Sequence, residues 1–529
     1  MAAQSYNNTR VHSVCGAQWQ KLQQELKVVS YWTGTVFSLL FALVAALVPG
    51  TVYPAGDQPP HIVLVMSDDQ GWGETGYYSH PVLSTPNLDA MAAAGLRLDR
   101  FYAGAPNCSP TRATVLTGRT NDRSGVENHG FPLRLQEITV AQALRDAGYA
   151  TGHFGKWHLS GIRGAGVPVL AGSSHHPGAF GFDNWLSVTN YFDMNPILGR
   201  MGQLEEFRGD SSEVMVAEAL EFIRKHVAEG MPTFSVIWFA SPHDPWVSSA
   251  KDRAAFQGLT EEEQHHYGEL VAMDRSIGTL RAGLREIGIA GNTLVWFNSD
   301  NGGLQAFGPE SVGGLRGWKD SLYEGGLRVP AIIEWPRVIS PRITEYPAAT
   351  LDIFPTLADI AGLPASAMPL VLDGTSLKAL FYNDLEHRDK PLAFRHRNRG
   401  ALIDNNYKLL TENVTEGKYQ LFDLTDDPLE SQDVSVMHPD EFNRLVSIFE
   451  SFNESVEASV AGSDYPSGSV DAQPQPRYWK NMAAYGPYLD QLRKRPEYKQ
   501  QLDRSRLERL WLRLHNRLRR LGKGLFSQN

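Results

Sequence analysis

The side chains in this chain that could do chemistry stand at the ends of apolar runs. His61-Ile62-Val63-Leu64-Val65-Met66 ends in Ser67-Asp68-Asp69. Two adjacent carboxylates at the carboxyl end of a strand buried on both faces are costly without a neutralising charge, which a divalent cation supplies. A solvated turn capped by Asp gives the same dipeptide. Thr233–Phe239 runs into Ala240-Ser241-Pro242-His243, and Asn292–Asn298 into Ser299-Asp300-Asn301. Gly148–Phe154 leads to Gly155-Lys156-Trp157-His158, where Lys156 and His158 share a face if the backbone is extended. Cys108 stands in Asn107-Cys108-Ser109-Pro110-Thr111-Arg112. An isolated cysteine commonly packs as a small buried hydrophobe, but packing does not account for one four residues ahead of an Arg with Pro between them.

Elements of two kinds must position these groups. The apolar runs suit strands of a largely parallel sheet, and helical patterns alternate with them, which makes the chain α/β. Thr85–Ala92 starts a helix with Pro in its first turn. Cys108 opens another through Leu116, where free N–H groups favour an anion. Leu135–Ala147, Ser212–His226 and Glu261–Leu284 read as helices by period. Segment 160–210 is rich in Gly and Pro, carries His175-His176-Pro177, and reads as a long functional loop. Beyond about residue 375 short strands follow, then a helix over Asp440–Glu450.

Bulk properties bound the answer. The 529 residues suffice for a large α/β domain and a smaller one. A net charge of -10 gives no case for nucleic-acid binding. The two cysteines, Cys15 and Cys108, cannot staple the fold. Val28–Val48 is an uncharged, largely apolar run of 21 residues preceded by Arg10, Lys21 and Lys27, and reads as a secretory signal or a signal anchor. That orientation exports everything beyond residue 50, to a periplasmic, secreted or membrane-anchored location. Leu507, Leu510, Trp511, Leu514, Leu518 and Leu521 form one helical face edged by arginines. Such a helix suits a membrane surface, an anionic polymer or the main body of the protein.

The motif around Cys108, with Thr117-Gly118-Arg119 after it, resembles the signature of the formylglycine-dependent sulfatases of the alkaline-phosphatase-like superfamily. Asp68-Asp69, Gly155-Lys156-Trp157-His158, His243, Asp300-Asn301 and Leu315–Pro330 follow in the family's order. The resemblance covers roughly residues 60–440. It implies a large mixed, mostly parallel sheet flanked by helices, with a smaller C-terminal antiparallel sheet packed by a helix. The domain reading is then 1–57 for the N-terminal segment, 58–375 catalytic, 376–458 for the small sheet, 459–476 linker and 477–529 a basic helical tail.

By the same resemblance Cys108 is converted to formylglycine by a maturation enzyme, and its hydrate attacks sulfur. Asp68, Asp69, Asp300 and Asn301, with the converted Cys108, hold the metal. Oxygen ligands without His point to a hard cation, and irregular loop ligands favour Ca2+ over Mg2+. Arg112 poises the nucleophile, Lys156 and Lys319 contact the sulfate, His243 protonates the leaving alcohol and His158 deprotonates the second hydroxyl. Arg395 and Arg397, in a local basic cluster, are candidates for further anionic groups of a sulfated carbohydrate, although a solvated strand face reads the same way. The expected reaction is sulfate-ester hydrolysis. A phosphodiester or phosphonate monoester hydrolase of the same superfamily, or a non-catalytic glycan-binding homologue, are the alternatives.

Overall fold

The computed structural model describes residues 58–503. The N-terminal apolar run and the arginine-edged helix beyond 503 lie outside them. Among the described residues no helix is long and apolar enough to cross a membrane.

A ten-stranded sheet forms the centre. Its strands are β1 (His61–Ser67), β2 (Leu96–Leu98), β3 (Ala150–Lys156), β4 (Asn184–Val188), β5 (Ile197–Arg200), β6 (Gln203–Glu206), β7 (Thr233–Trp238), β8 (Thr293–Ser299), β9 (Ala331–Glu334) and β10 (Arg342–Thr344). They lie in the order β10-β2-β9-β8-β1-β7-β3-β4-β5-β6. The central five, β8-β1-β7-β3-β4, are parallel. The antiparallel strands β9, β5 and β6 lie outside them.

The apolar runs are continuous because both sheet faces are covered. Ile62, Leu64 and Met66 enter one core with α2 (Cys108–Thr117), α3 (Val140–Asp146) and α6 (Ile353–Ile360). Val63 and Val65 enter the opposite core with α1 (Pro86–Ala94), α4 (Ser211–Ala228) and α5 (Glu261–Ile287). Capping sets the helix starts. Thr139 and Gln142 form a capping box ahead of α3, so this helix begins at Val140 and not at Leu135. Thr260 and Glu263 do the same for α5.

Four antiparallel strands, β11 (Leu392–His396), β12 (Arg399–Asp404), β13 (Tyr407–Thr411) and β14 (Gln420–Asp423), make the second sheet. Alternate residues divide between its faces. Phe394, Ile403, Leu410 and Phe422 meet Tyr102, Leu322 and Leu327 of the main body, while Leu402, Leu409 and Leu421 meet Leu445 and Phe449 of α7 (Pro439–Val460). At the junction Lys408 is fully buried between Glu324, at 3.0 Å, and Glu430, at 2.8 Å.

Three expectations need correcting. Segment 160–210 is not one loop: it carries β4, β5 and β6, with Pro196 just ahead of β5 and Gly199 within it. Residues read as a linker at 459–476 are tied down, with Asp464 2.6 Å from Arg119 and the Tyr465 hydroxyl donating to Glu137 at 2.5 Å. From 477 the described chain is not one basic helix. It makes a two-residue strand with Ile162–Arg163, short helical turns and α8 (Pro496–Asp503), with Trp479, Tyr485 and Tyr498 buried against Ile162, Ala165 and Val167.

Candidate active site

Because the five central strands are parallel, their carboxyl ends lie along one edge, where α/β sheets bind ligands. β1 delivers Asp68 and Asp69, β8 delivers Asp300 and Asn301, β3 ends on Lys156 with His158 beyond, and β7 leads to His243. The loops are knitted through backbone: Asp68 N–H donates to Ser241 O at 3.0 Å and Asp300 N–H to Ser67 O at 3.1 Å. α2 begins at Cys108, which is 2 % exposed, and all ten of its residues are buried.

Each acid at this edge has a basic partner. Lys156 Nζ pairs with Asp68 Oδ2, Lys319 Nζ lies 2.5 Å from Asp69 Oδ1, and Arg112 Nη2 lies 2.7 Å from Asp300 Oδ2. Arg112 also donates to Lys156 O at 3.0 Å and lies over the Trp238 ring. Asn301 donates its amide to Asp69 Oδ1 at 2.9 Å. The sequence-selected residues Asp68, Asp69, Cys108, Arg112, Lys156, His158, His243, Asp300, Asn301 and Lys319 thus converge on one edge.

The unpaired atoms of this cluster test whether a cation fits. Asp68 Oδ1, Asp69 Oδ2 and Asn301 Oδ1 are buried without a hydrogen-bond partner, an expensive arrangement for carboxylates. Ligand atoms of Asp68, Asp69, Cys108 and His243 all lie within 4.8 Å of one another. The unpartnered oxygens of Asp68, Asp69 and Asn301 are hard donors, which suits a divalent cation of the Ca2+ or Mg2+ type.

Charges shape the titrations. Burial alone would raise the Asp69 carboxyl, but Lys319, His243 and Lys156 outweigh it and hold this group well below the ordinary range. Burial, then the neighbouring Asp68 charge, pushes Asp300 up to about 7 against Arg112 and Lys156. Burial pushes the Cys108 thiol up to about 12. Burial and then Lys156 lower His243 to about 4, Asp69 opposing. Its Nδ1–H donates to Asp244 O at 2.5 Å, so Nε2 is the atom that faces Asp69, 3.8 Å from Oδ2. His158 is lowered far below its usual value by burial, then by Lys156 and Arg112, and both its ring nitrogens lack partners. Asp69, His158 and Asp320 all have φ between 53° and 72° without being glycine, and such strain gathers at functional sites.

A cavity of about 340 Å3 opens over Cys108, His158, His243 and Lys319. Its mouth is formed by residues the motifs did not reveal: His129, Arg163, Tyr191, Asp244 and Tyr478. Tyr191 stacks on His243, with ring centroids 5.1 Å apart and planes at 12°. None has a spacing that marks it, because each comes from an irregular loop or an edge pairing.

The basic cluster behaves differently from its sequence reading. Arg395 is spent on Asp122 at 2.9 Å and Glu457 at 2.7 Å, so its charge is neutralised within the protein and not offered to a substrate. Arg397 is exposed at the β11–β12 hairpin tip, next to His396, whose Nε2 is 3.8 Å from the rim residue Asp320.

This fold and this edge define a hydrolase of the alkaline-phosphatase-like class, with acids and bases gathered around a buried residue at a helix start. The family model described as Sulfatase matches residues 60–363, and that described as N-sulphoglucosamine sulphohydrolase, C-terminal, matches 314–451. The chain belongs to the sulfatase family and is a sulfuric ester hydrolase. It is similar to human arylsulfatase A, at 34% identity over 385 residues, 66% of this chain and 71% of that protein. Dog N-acetylgalactosamine-6-sulfatase is 34% identical over 378 residues, 65% of this chain and 69% of that protein. Among solved structures, Ps i-CgsB in complex with k-i-k-neocarrahexaose matches with TM-score 0.66 and 25% identity, over 84% of this chain and 100% of that one. Family membership implies a metal and a formylglycine at this site.

Proposed function

We propose that the chain releases sulfate from a sulfated carbohydrate, using converted Cys108 and Ca2+. The observation that carries this reading is the cluster of buried acids with unpartnered oxygens beside Cys108, each matched by a basic group. When present, a cation held by Asp68, Asp69, Asp300 and Asn301 would supply Lewis acidity at the sulfuryl oxygens, and the hydrated aldehyde from Cys108 the attacking oxygen.

The chain's own residues do the rest. Arg112 fixes Asp300 and the β3 terminus from two sides, which holds the floor of the site in one geometry. Lys156 and Lys319 balance the negative charge of the bound ester, and being buried or half-buried they do so at low dielectric. His243, held by its Nδ1–H, directs Nε2 into the site to protonate the departing oxygen. His158, with no partner on either ring nitrogen, takes the proton that frees the aldehyde again.

The carbohydrate assignment is supported by a cavity lining that includes the aromatic rings of Tyr191 and Tyr478 as well as hydrogen-bonding groups. N-acetylgalactosamine-6-sulfatases and Ps i-CgsB stand among the similar proteins. Export is supported by the apolar run at 28–48.

Mass spectrometry of the peptide bearing Cys108, from protein co-produced with a maturation enzyme, should show thiol-to-aldehyde conversion. Converted protein with Ca2+ should release sulfate from 4-nitrophenyl sulfate and from at least one sulfated monosaccharide. Aryl turnover with no sulfated sugar accepted would remove the carbohydrate assignment; conversion without any turnover would remove the mechanism.

A further inference from the structure

The family models end at 451, yet the chain continues as a described strap to 503. Its first strand, Arg477–Tyr478, pairs in parallel with Ile162–Arg163 at the pocket mouth, and the register sets Tyr478 opposite Arg163. Both line the active-site cavity.

The pair is held firmly. Arg477 N–H donates to Gly161 O at 2.9 Å, Trp479 is fully buried, and the Tyr485 hydroxyl donates to Pro168 O at 2.9 Å. Arg163 runs its stem across Gly130, where even a Cβ would come within 2.7 Å of its Cγ, and places its guanidinium 5.4 Å from the Phe131 ring centroid. Among the described residues no carboxylate pairs with Arg163, and its buried Nε has no hydrogen-bond partner. Arg112, Arg119, Arg123 and Arg388, which are fully buried, all have acid partners, whereas Arg163 is half-buried and has none. A half-buried guanidinium with no carboxylate partner, beside a half-exposed aromatic ring, is the chemistry that grips an anionic group on a ring.

We propose that Arg163 and Tyr478 form the substrate-selecting wall of the pocket. Tyr478 packs on the ring that bears the scissile sulfate, and Arg163 holds a second anionic group, a carboxylate or a further sulfate, on the same substrate. This rests on the sulfatase reading and deepens it: the substrate is an oligosaccharide with more than one acidic group, and the strap beyond the two matched family models completes its site.

Converted, Ca2+-loaded protein provides the first test. Tyr478→Ala should raise KM for 4-nitrophenyl sulfate about tenfold, the loss falling on KM and not on kcat, with inhibition by inorganic sulfate unchanged and Tyr478→Phe restoring KM. Calorimetry on the Cys108→Ala background gives the second. Chondroitin 4-sulfate or 6-sulfate disaccharide should bind about tenfold more tightly than its carboxyl-reduced counterpart. Arg163→Ala should abolish that preference and Arg163→Lys retain part of it. Preference unaltered by Arg163→Ala, no preference in the parent for either disaccharide, or an unchanged KM in Tyr478→Ala would each overturn the proposal. Failure of the parent to turn over 4-nitrophenyl sulfate would instead remove the sulfatase reading beneath it.

Discussion

A thiol at position 108 is a poor nucleophile as this protein places it. With its pKa pushed up to about 12 by burial, roughly one molecule in ten thousand carries a thiolate at pH 8. Unconverted, EDTA-treated protein should therefore be alkylated by iodoacetamide at a rate that climbs about tenfold per pH unit from 7 to 10, and a plateau near pH 8 would contradict the burial argument. His243 gives the pH dependence of the reaction itself. Lowered to about 4 by burial and Lys156, it loses its proton as pH rises, so the acid form is scarce in the free enzyme at neutrality. We expect kcat/KM to fall between pH 5 and 7. The limb in kcat should lie at higher pH, because the anionic ester bound beside His243 favours the imidazolium. His243→Gln should abolish both limbs; a descending limb that survives it would assign the proton to another group. Single residues also differ most in how legible they were in the sequence. Asp68, Asp300 and Lys156 could be found because each ends an apolar run. Arg395 misled because a sequence displays charge but not its partner, here Asp122 and Glu457.

Strand β3 shows how tightly an element fixes its chemical group. Gly155, one residue before Lys156, has φ 110°, and a Cβ there would come within 2.0 Å of Trp238 O on β7. Gly155→Ala should cost more than about 2 kcal/mol, read as a lowered denaturant midpoint. It should also depress turnover in whatever folds, because Lys156 moves with the strand; near-parental stability would mean the strands part more easily than their packing implies. The buried central strands were legible as elements because both faces are covered and the apolar runs are unbroken. β4, β5 and β6 were not, since they are short, lie in a segment rich in Gly and Pro, and carry no unbroken apolar run. The strap was illegible for a similar reason: a two-residue strand has no periodicity, and Trp479 and Tyr485 say only that something is buried.

At the scale of the molecule, a buried cation sits in the apolar junction between the two sheets. Lys408 sits between Glu324 and Glu430, and Glu324 opens the short helix that follows the Lys319 segment. Lys408→Met should destabilise the protein by about 3–5 kcal/mol, because Glu430 is left buried without a counter-charge and Glu324 with only the more distant Arg328. Adding Glu324→Gln and Glu430→Gln should recover much of the loss. Thermal unfolding of the single and triple variants checks this, and no recovery would show that packing and not charge makes the joint.

The depth of Cys108 sets an order of events in the life of the chain. Its surroundings are assembled from segments as far apart as β1 and Lys319, and once β8 and the Lys319 segment are in place only 2 % of the residue is exposed. An enzyme that must grasp the Cys108 segment in its own cleft cannot reach it there. On the proposed function, conversion of Cys108 would therefore belong to the interval between synthesis of α2 and closure of the sheet, some two hundred residues later. On that reading a chain that folded before conversion would be well packed yet inactive, so the same burial that would shelter the nucleophile from water would make its creation a race against folding.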